Sequence, residues 1–205
     1  MKVKIGSRRF NKALFSAIVA AAAAIIAMFG VPSSGEKFRA EGEVEVYFSP
    51  RGGAAAAVVR ELASAKSEVL LQAYSFTNKQ IAKALVEAKK RGVRVEAIVD
   101  RNNAEEKYTE ADFLQHSGVP TYIDGAHNIA HNKIIIIDRE TVITGSFNFT
   151  KAAEEENSEN LLVLRGNRKL ADSYVNNYKA HRAHSEPYRG FHRGYDKPRG
   201  GKWRR

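Results

Sequence analysis

Residues 131–150 read HNKIIIIDRETVITGSFNFT, and this stretch decides both the fold and the chemistry that we expect of the chain. The four isoleucines at 134–137 are apolar at every position, which is typical of a strand buried between two layers. Arg139 and Glu140 are expected to form a short turn, after which 141–144 return as a second strand. The stretch therefore predicts a β-hairpin in the interior of a layered fold.

Polar groups flank this hairpin at matching intervals. His131 and Lys133 are two residues apart, so in an extended chain their side chains point the same way, about 7 Å apart. Ser146 and Asn148 have the same spacing. Gly145 lets the backbone approach a bound group closely or adopt a conformation barred to other residues. One imidazole, one cation and two neutral hydrogen-bond donors suit an anionic, tetrahedral phosphate.

The spacing of these residues resembles the signature of the phospholipase D superfamily of phosphodiesterases: His-x-Lys, four residues, Asp138, six residues, Gly-Ser-x-Asn. From about Val44 to Lys179 the chain is similar to the small bacterial exported endonucleases of that superfamily, which carry one motif per subunit. The likeness is strongest in AYSFTNKQIAKALVEAKKRGVRV and GSFNFTKAAEEENSENLLVL. One position departs from the pattern, since Ala130 stands where a larger polar residue is expected.

The resemblance implies a role for each residue of the motif. His131 is the nucleophile that forms a covalent phosphohistidine. Lys133 and Asn148 bind the non-bridging phosphate oxygens, Ser146 supports the same site, and Gly145 belongs to the substrate-binding set. These roles make the chain a phosphodiesterase whose chemistry lies in side chains alone.

Two acidic residues complete the set that the resemblance implies. Glu159, in the segment NSEN, hydrogen-bonds the nucleophilic histidine, which fixes its tautomer and stabilises its developing positive charge. Asp138 is the acid of the motif and is expected to support structure more than chemistry. The resemblance implies no metal and no cofactor.

The mechanism needs two histidines, a nucleophile and a general acid, yet the chain has one His-x-Lys motif. The other histidines lack a lysine two residues on: His116, His127, His181, His184 and His192. A homodimer of C₂ symmetry, with the two motifs facing each other across the axis, supplies the second histidine.

Strand and helix patterns alternate along the chain, which predicts an α/β fold. We expect a layered α/β/α sandwich with a mixed β-sheet, forming one phospholipase D-like domain at 41–184. The predicted strands are 44–48, 68–74, 93–99, 120–123, the hairpin 131–146 and 160–165, and the predicted helices are 54–66, 78–91, 104–116 and 168–183. Loops are expected at 102–107 and 124–129, the second of which delivers His131.

The first 40 residues are expected to lie outside that domain. Residues 1–12 carry five basic groups and no acid, and 13–31 are largely apolar. This pattern predicts either a cleaved signal peptide or a retained membrane anchor with a linker. The protein is therefore expected to be exported, periplasmic or secreted. The lack of cysteine agrees, because an exported protein of this size needs no disulfide.

The net charge of +10 lies mainly at the two ends of the chain. Residues 181–205 carry +6, whereas 13–180 hold 20 basic and 21 acidic residues and are close to neutral. The stretch 185–205, with arginine, glycine and single aromatics, is predicted to be a disordered tail. It suits phosphate contacts and base stacking on nucleic acid; anionic lipid, or no partner at all, are the alternatives.

Three classes of function remain after this chemistry. The first is a non-specific endonuclease acting on DNA or RNA, which the resemblance and the tail favour. The second is a phospholipase D-type hydrolase of phospholipid head groups, which the superfamily signature and the apolar segment favour. The third, a membrane-tethered nucleic-acid-binding module, is disfavoured because an idle site has no need of the intact motif. Lipid and nucleic acid present the same phosphodiester, so the fold does not choose between them.

Overall fold

The structure is a computed structural model that describes residues 35–39, 41–104, 106 and 108–190. The predicted signal or anchor at 13–31 lies outside these residues, as does most of the predicted tail. Within the described ranges, no helix is both long and apolar enough to cross a bilayer. The folded part is a compact unit that begins at Phe38.

The described part of the chain forms an eight-stranded sheet in the order β1-β7-β6-β5-β2-β3-β4-β8. The strands are β1 (Glu43–Ser49), β2 (Glu68–Ala73), β3 (Arg94–Asp100), β4 (Thr121–Asp124), β5 (Lys133–Ile137), β6 (Thr141–Gly145), β7 (Glu159–Arg165) and β8 (Glu186–Pro187). Strands β2, β3 and β4 run parallel, and every other neighbouring pair is antiparallel. The predicted mixed sheet is confirmed.

Helices cover both faces of this sheet. They are α1 (Ala54–Ser64), α2 (Lys79–Lys90), α3 (Ala111–His116), α4 (Lys151–Glu155) and α5 (Arg168–His184). The first four contribute to a large apolar cluster on one face, and α5 packs through Val175 and Tyr178 on the other. The predicted α/β/α sandwich is therefore confirmed.

Strand β5 lies between the two helical layers and is buried at all five positions. Ile135 and Ile137 belong to the large cluster, whereas Ile134 and Ile136 belong to the cluster under α5. Each buried isoleucine contributes roughly 1.5–3 kcal/mol of hydrophobic free energy. Strand β5 is thus a rigid support for the residues at its two ends.

The helix predicted at 104–116 begins only at Ala111, and residues 101–104 form a 3₁₀ turn instead. The cause is the fully buried side chain of Asn103, whose amide donates hydrogen bonds to the carbonyls of Tyr74 and Asp100. Thr109 in turn donates to the Asn103 carboxamide. These side-chain bonds hold the segment in an irregular path that helical periodicity did not reveal.

The folded domain also extends further than the predicted boundary at 184. Strand β8 pairs with β4, and Tyr188 is buried with its backbone N–H bonded to the Thr121 carbonyl. The Tyr188 hydroxyl donates to the carboxylate of Asp112 at 2.8 Å. Residues 185–188 therefore belong to the domain rather than to the tail.

Candidate active site

The strand directions bring the motif residues to one edge of the sheet. His131 lies two residues before β5, and Asn148 lies three residues after β6. Glu159 is the first residue of β7. Because β5, β6 and β7 are successively antiparallel, the start of β5, the end of β6 and the start of β7 meet at the same edge. The carboxyl ends of β2 and β3 lie there as well.

His131 and Lys133 form the centre of this edge. The Lys133 Nζ lies 3.0 Å from His131 Nδ1 and donates a second hydrogen bond to the His131 carbonyl at 3.0 Å. The His131 side chain is exposed, whereas Lys133 is buried. Burial lowers the pKa of Lys133, and the charge of Glu159 opposes this effect. A desolvated ammonium beside an accessible imidazole is a ready partner for an anion.

Tyr74 is a site residue that the sequence analysis did not identify. Its ring centroid lies 4.4 Å from that of His131, and Lys133 Nζ lies 5.0 Å above the same ring. Its backbone N–H donates to the Asn132 carbonyl at 2.8 Å, which ties the end of β2 to the start of β5. Only the pairing of these strands brings Tyr74 here, so no local pattern could have found it.

Asn148 has a buried carboxamide oxygen without a hydrogen-bond partner in the described part of the protein. An unsatisfied buried acceptor costs about 1–3 kcal/mol, and such groups often mark functional sites. The Asn148 carbonyl meanwhile accepts from the N–H of Thr150, so the backbone here is fixed. The side-chain oxygen is thus the atom of Asn148 that lacks a partner among the described residues.

Gly145 and Ser146 join the end of β6 to β7. Gly145 has φ 149°, and a Cβ there would collide with the carbonyl oxygen of Asn160. The Ser146 Oγ accepts from the Asn160 N–H at 3.0 Å, and the Ser146 N–H donates back to the Asn160 carbonyl. Close strand contact therefore accounts for the glycine; its place in the substrate-binding set stays a prediction.

Glu159 is half-buried at the start of β7. Its Oε1 accepts a hydrogen bond from the Asn157 amide at 3.2 Å, and its charge acts on Lys133. Among the described residues, the nitrogen facing His131 Nδ1 is that of Lys133. The expected bond between Glu159 and His131 stays a prediction.

Asp138 lies at the opposite edge of the sheet, about 16 Å along β5 from Lys133. Its carboxylate accepts from the backbone N–H groups of Lys66, Ser67 and Glu68 at 2.8–2.9 Å. It thereby holds the loop between α1 and β2. The geometry agrees with the expected structural role and places Asp138 apart from the other motif residues.

Asp100 is a second residue that sequence reasoning missed. It is fully buried at the end of β3, and its Oδ2 accepts from the Ala130 N–H at 2.7 Å. This bond anchors the loop immediately before His131. Ala130 is the position that departs from the pattern of the superfamily. Its backbone N–H, not its side chain, makes the contact with Asp100.

Several proteins resemble this chain over its folded part. A family model described as cardiolipin synthase, PLD-like domain, matches residues 58–182. A protein named phospholipase D from Rickettsia felis is 40% identical over 136 residues, which are 66% of this chain and 68% of that protein. Mitochondrial cardiolipin hydrolase of Mus musculus is 31% identical over 107 residues, covering 52% of this chain and 48% of its own.

Solved structures match as well. Nuc from Salmonella typhimurium, a phospholipase D family member, is 41% identical with a TM-score of 0.71, covering 73% of this chain and 100% of Nuc. NucT from Helicobacter pylori has the same fold, with a TM-score of 0.66 at 23% identity over 71% of this chain and 99% of NucT. These matches make the chain a phosphodiesterase, and its mixed-sheet sandwich carries histidine, lysine and asparagine at one edge. The chain belongs to the phospholipase D-like family.

Proposed function

We propose that the protein is an endonuclease of low sequence preference that hydrolyses nucleic-acid phosphodiester bonds through a covalent phosphohistidine. The observation that carries the proposal is the meeting of exposed His131 with buried Lys133 at 3.0 Å, on the edge that also holds Asn148. The 41% identity to Nuc over its whole length supports the same chemistry. In this proposal side chains alone perform the reaction, as the resemblance to the superfamily implies.

In the first step, His131 Nε2 attacks phosphorus, a P–N bond forms and the bond to the leaving oxygen breaks. Lys133 and Asn148 stabilise the charge that gathers on the non-bridging oxygens. The buried position of Lys133 strengthens its attraction for that charge. The Asn148 carboxamide can turn its NH₂ group toward the phosphate, since its oxygen has no partner in the described part of the protein to lose.

The tautomer of His131 explains the need for Glu159. When Nδ1 accepts from Lys133, the ring hydrogen is on Nε2, which is the form of a proton donor. Attack requires the reverse tautomer, with Nδ1–H donated to an acceptor. Glu159 is the carboxylate whose charge already acts on Lys133, so it takes this role once the ammonium engages phosphate.

The second histidine comes from a partner subunit. Each chain carries a single His-x-Lys motif, so His131 of the partner subunit protonates the leaving oxygen. In the second step it removes a proton from water, which attacks phosphorus and releases His131. The catalytic unit is therefore a homodimer with one site formed by two chains.

An apolar stripe on the edge strand β1 supports this dimer. Val44, Val46 and Phe48 alternate along β1 and are 59%, 51% and 65% exposed. Phe48 pairs with Asn160, the neighbour of Glu159, so the stripe reaches the active edge. Exposed apolar side chains in a row mark a surface that a second protein covers. We assign this surface to the second copy of the chain.

Nucleic acid is favoured as substrate by the basic terminus at 181–205, which supplies +6 next to a nearly neutral domain. Phospholipid is the second candidate, because relatives 40% identical are named phospholipase D. Export, with or without a retained anchor at 13–31, remains part of the proposal. It rests on the basic and apolar pattern of the first 31 residues.

The experiment is a parallel assay of purified protein in chelator with plasmid DNA, single-stranded RNA and phosphatidylcholine vesicles. We expect cleavage of nucleic acid, and loss of several orders of magnitude in the His131→Ala variant. His116→Ala removes an exposed histidine on α3 and serves as the matched control. Turnover of the vesicles alone would favour the lipid hydrolase, and near-normal turnover by His131→Ala would refute the phosphohistidine.

A further inference from the structure

Three histidines and one aspartate converge beside β4. Asp124 is the last residue of β4, and His127 follows in the connection to β5. His181 and His184 lie in the last turn of α5, where a spacing of three residues puts them on one face of the helix. Three separate parts of the chain thus bring four side chains of metal-binding type to one place.

The distances within this cluster are short. Asp124 Oδ2 lies 2.6 Å from His181 Nδ1 and 3.3 Å from His184 Nε2, and Oδ1 lies 3.3 Å from His127 Nδ1. The three ring centroids are separated by 4.9–5.4 Å. One ligand atom from each residue lies within 4.8 Å of all the others. Four potential ligands therefore surround a common point.

Asp124 places a carboxylate among three imidazoles. Asp124 is fully buried, and it already accepts a backbone hydrogen bond from Ala126. Three imidazoles and one carboxylate are a common ligand set for transition metals.

The cluster is also held in place. Arg182, between the two helical histidines, stacks its guanidinium 3.2 Å from the centroid of Tyr122 on β4. The Ser185 hydroxyl donates to the His181 carbonyl at 2.7 Å. These contacts fix the end of α5 against β4, so His181 and His184 are positioned before any ligand arrives. His127, 48% exposed in its connection, is the member that can move.

We propose that Asp124, His127, His181 and His184 form a binding site for a transition-metal ion of the Zn²⁺ type. Zinc is held tetrahedrally at about 2.0–2.2 Å from nitrogen and oxygen, which puts neighbouring ligand atoms about 3.3 Å apart. The 3.3 Å separations of His127 and His184 from Asp124 already match that spacing. Small side-chain rotations bring the other ligand atoms, which all lie within 4.8 Å of one another, to the same range. Three nitrogen donors exclude Mg²⁺ and Ca²⁺, which take oxygen ligands.

The ion joins β4, the connection 125–130 and the end of α5. His127 precedes His131 by four residues, and Asp100 already anchors Ala130 in the same connection. With four protein ligands the site is closed and structural, so the ion takes no part in phosphoryl transfer. It stabilises the loop that presents the nucleophile. The sequence analysis did not identify this site, although the spacing His-x-x-His at 181–184 is visible in the sequence.

The test uses full-length protein treated with chelator and then dialysed. Titration with Zn²⁺ is followed by calorimetry and by the thermal unfolding midpoint. We expect one equivalent to bind per chain and to raise the midpoint, because the ion binds only the folded state. Mg²⁺ and Ca²⁺ at the same concentration should do neither. Co²⁺ should give the visible absorption of a four-coordinate nitrogen and oxygen site.

Single alanine variants at His181 and His184 should weaken Zn²⁺ binding by more than about tenfold. His127→Ala, in a half-exposed position, provides a variant that leaves the packing of α5 untouched. His116→Ala should bind Zn²⁺ like the wild type. Absence of stoichiometric binding by the wild type, or unchanged affinity in both His127→Ala and His184→Ala, would overturn the proposal.

Discussion

The side chain of Asn148 lowers the stability of the free protein and contributes to the binding of the phosphate group of the substrate. Its carboxamide oxygen is buried without a partner in the described part of the chain, and Lys133 nearby is buried with a lowered pKa. An arriving anion supplies a countercharge to the ammonium and an acceptor to the NH₂ of Asn148, whereas the carboxamide oxygen, itself an acceptor, gains no partner from it. The free protein thus carries a polar site prepared for phosphate.

Replacing Asn148 by alanine should lower the turnover number about 10²–10³-fold, as is usual when one donor to a developing oxyanion is lost. The thermal midpoint should change little or rise, since an unsatisfied buried oxygen is removed. Steady-state kinetics on plasmid DNA, together with a melting curve, measure both effects.

The matched control for that variant is Asn176→Ala, which removes an exposed asparagine from α5. It should retain the wild-type turnover number. Wild-type turnover by Asn148→Ala would remove Asn148 from the oxyanion-binding set.

At the scale of elements, strand β5 supports catalytic residues at one end and a structural residue at the other. Its amino end carries Lys133 next to His131, and its carboxyl end leads into Asp138. Asp138 has φ 54°, a left-handed conformation that aspartate tolerates better than most residues. Its three bonds to backbone N–H groups clamp the loop at 66–68 to the hairpin. Support of β5 thus explains the presence of Asp138, the acid of the motif.

Asp138→Ala should therefore lower the free energy of unfolding by about 1–3 kcal/mol, because a charged acceptor of several N–H groups is lost and the left-handed turn is disfavoured. Denaturant unfolding monitored by circular dichroism measures this loss. Asp138→Asn keeps one acceptor oxygen and the tolerance for positive φ, so its loss should be smaller.

Asp172→Ala removes an exposed carboxylate whose partner is Arg139, and it should change stability by less than about 1 kcal/mol. A fall in turnover without a fall in stability in Asp138→Ala would instead place Asp138 in the chemistry.

At the scale of the whole molecule, the single motif and the apolar stripe of β1 point to the same assembly. A chain with one histidine nucleophile has no general acid of its own in this mechanism. The exposed side chains of Val44, Val46 and Phe48 lead toward the edge where that acid is needed. Dimerisation would then bury the stripe and complete the site together.

Mixing wild-type and His131→Ala chains tests this assembly. If each site needs two copies of His131, an equal mixture that has exchanged subunits should retain about one quarter of wild-type activity per chain rather than one half. Co-refolding at several ratios, followed by a plasmid assay, measures the dependence. Activity that falls linearly with the wild-type fraction would show that one chain suffices.

Phe48→Glu supplies the structural side of the same test, since it puts a charge at the end of the stripe that reaches the active edge. It should give a monomer by light scattering and lose activity. Phe113→Glu changes an exposed aromatic on α3 and should remain dimeric. An active monomer of either variant would contradict the shared site.

Much of the fold could be predicted from local patterns. The isoleucines of β5 specified a doubly buried strand, and the alternation of apolar strands with amphipathic helices specified the sandwich. Irregular segments were less predictable. The helix expected from 104 was shortened by the buried side chain of Asn103, and β8 was missed because a two-residue strand has no periodicity.

The sequence alone determined the chemical groups of the site and their spacing, from His131 to Asn148, because strand geometry and a short hairpin are local properties. The tertiary structure decided what surrounds them. It placed Tyr74 beside His131, moved Asp138 to the opposite edge, and brought His181 to Asp124 across 57 residues of chain. These contacts depend on strand order and on the packing of α5, which no local periodicity encodes.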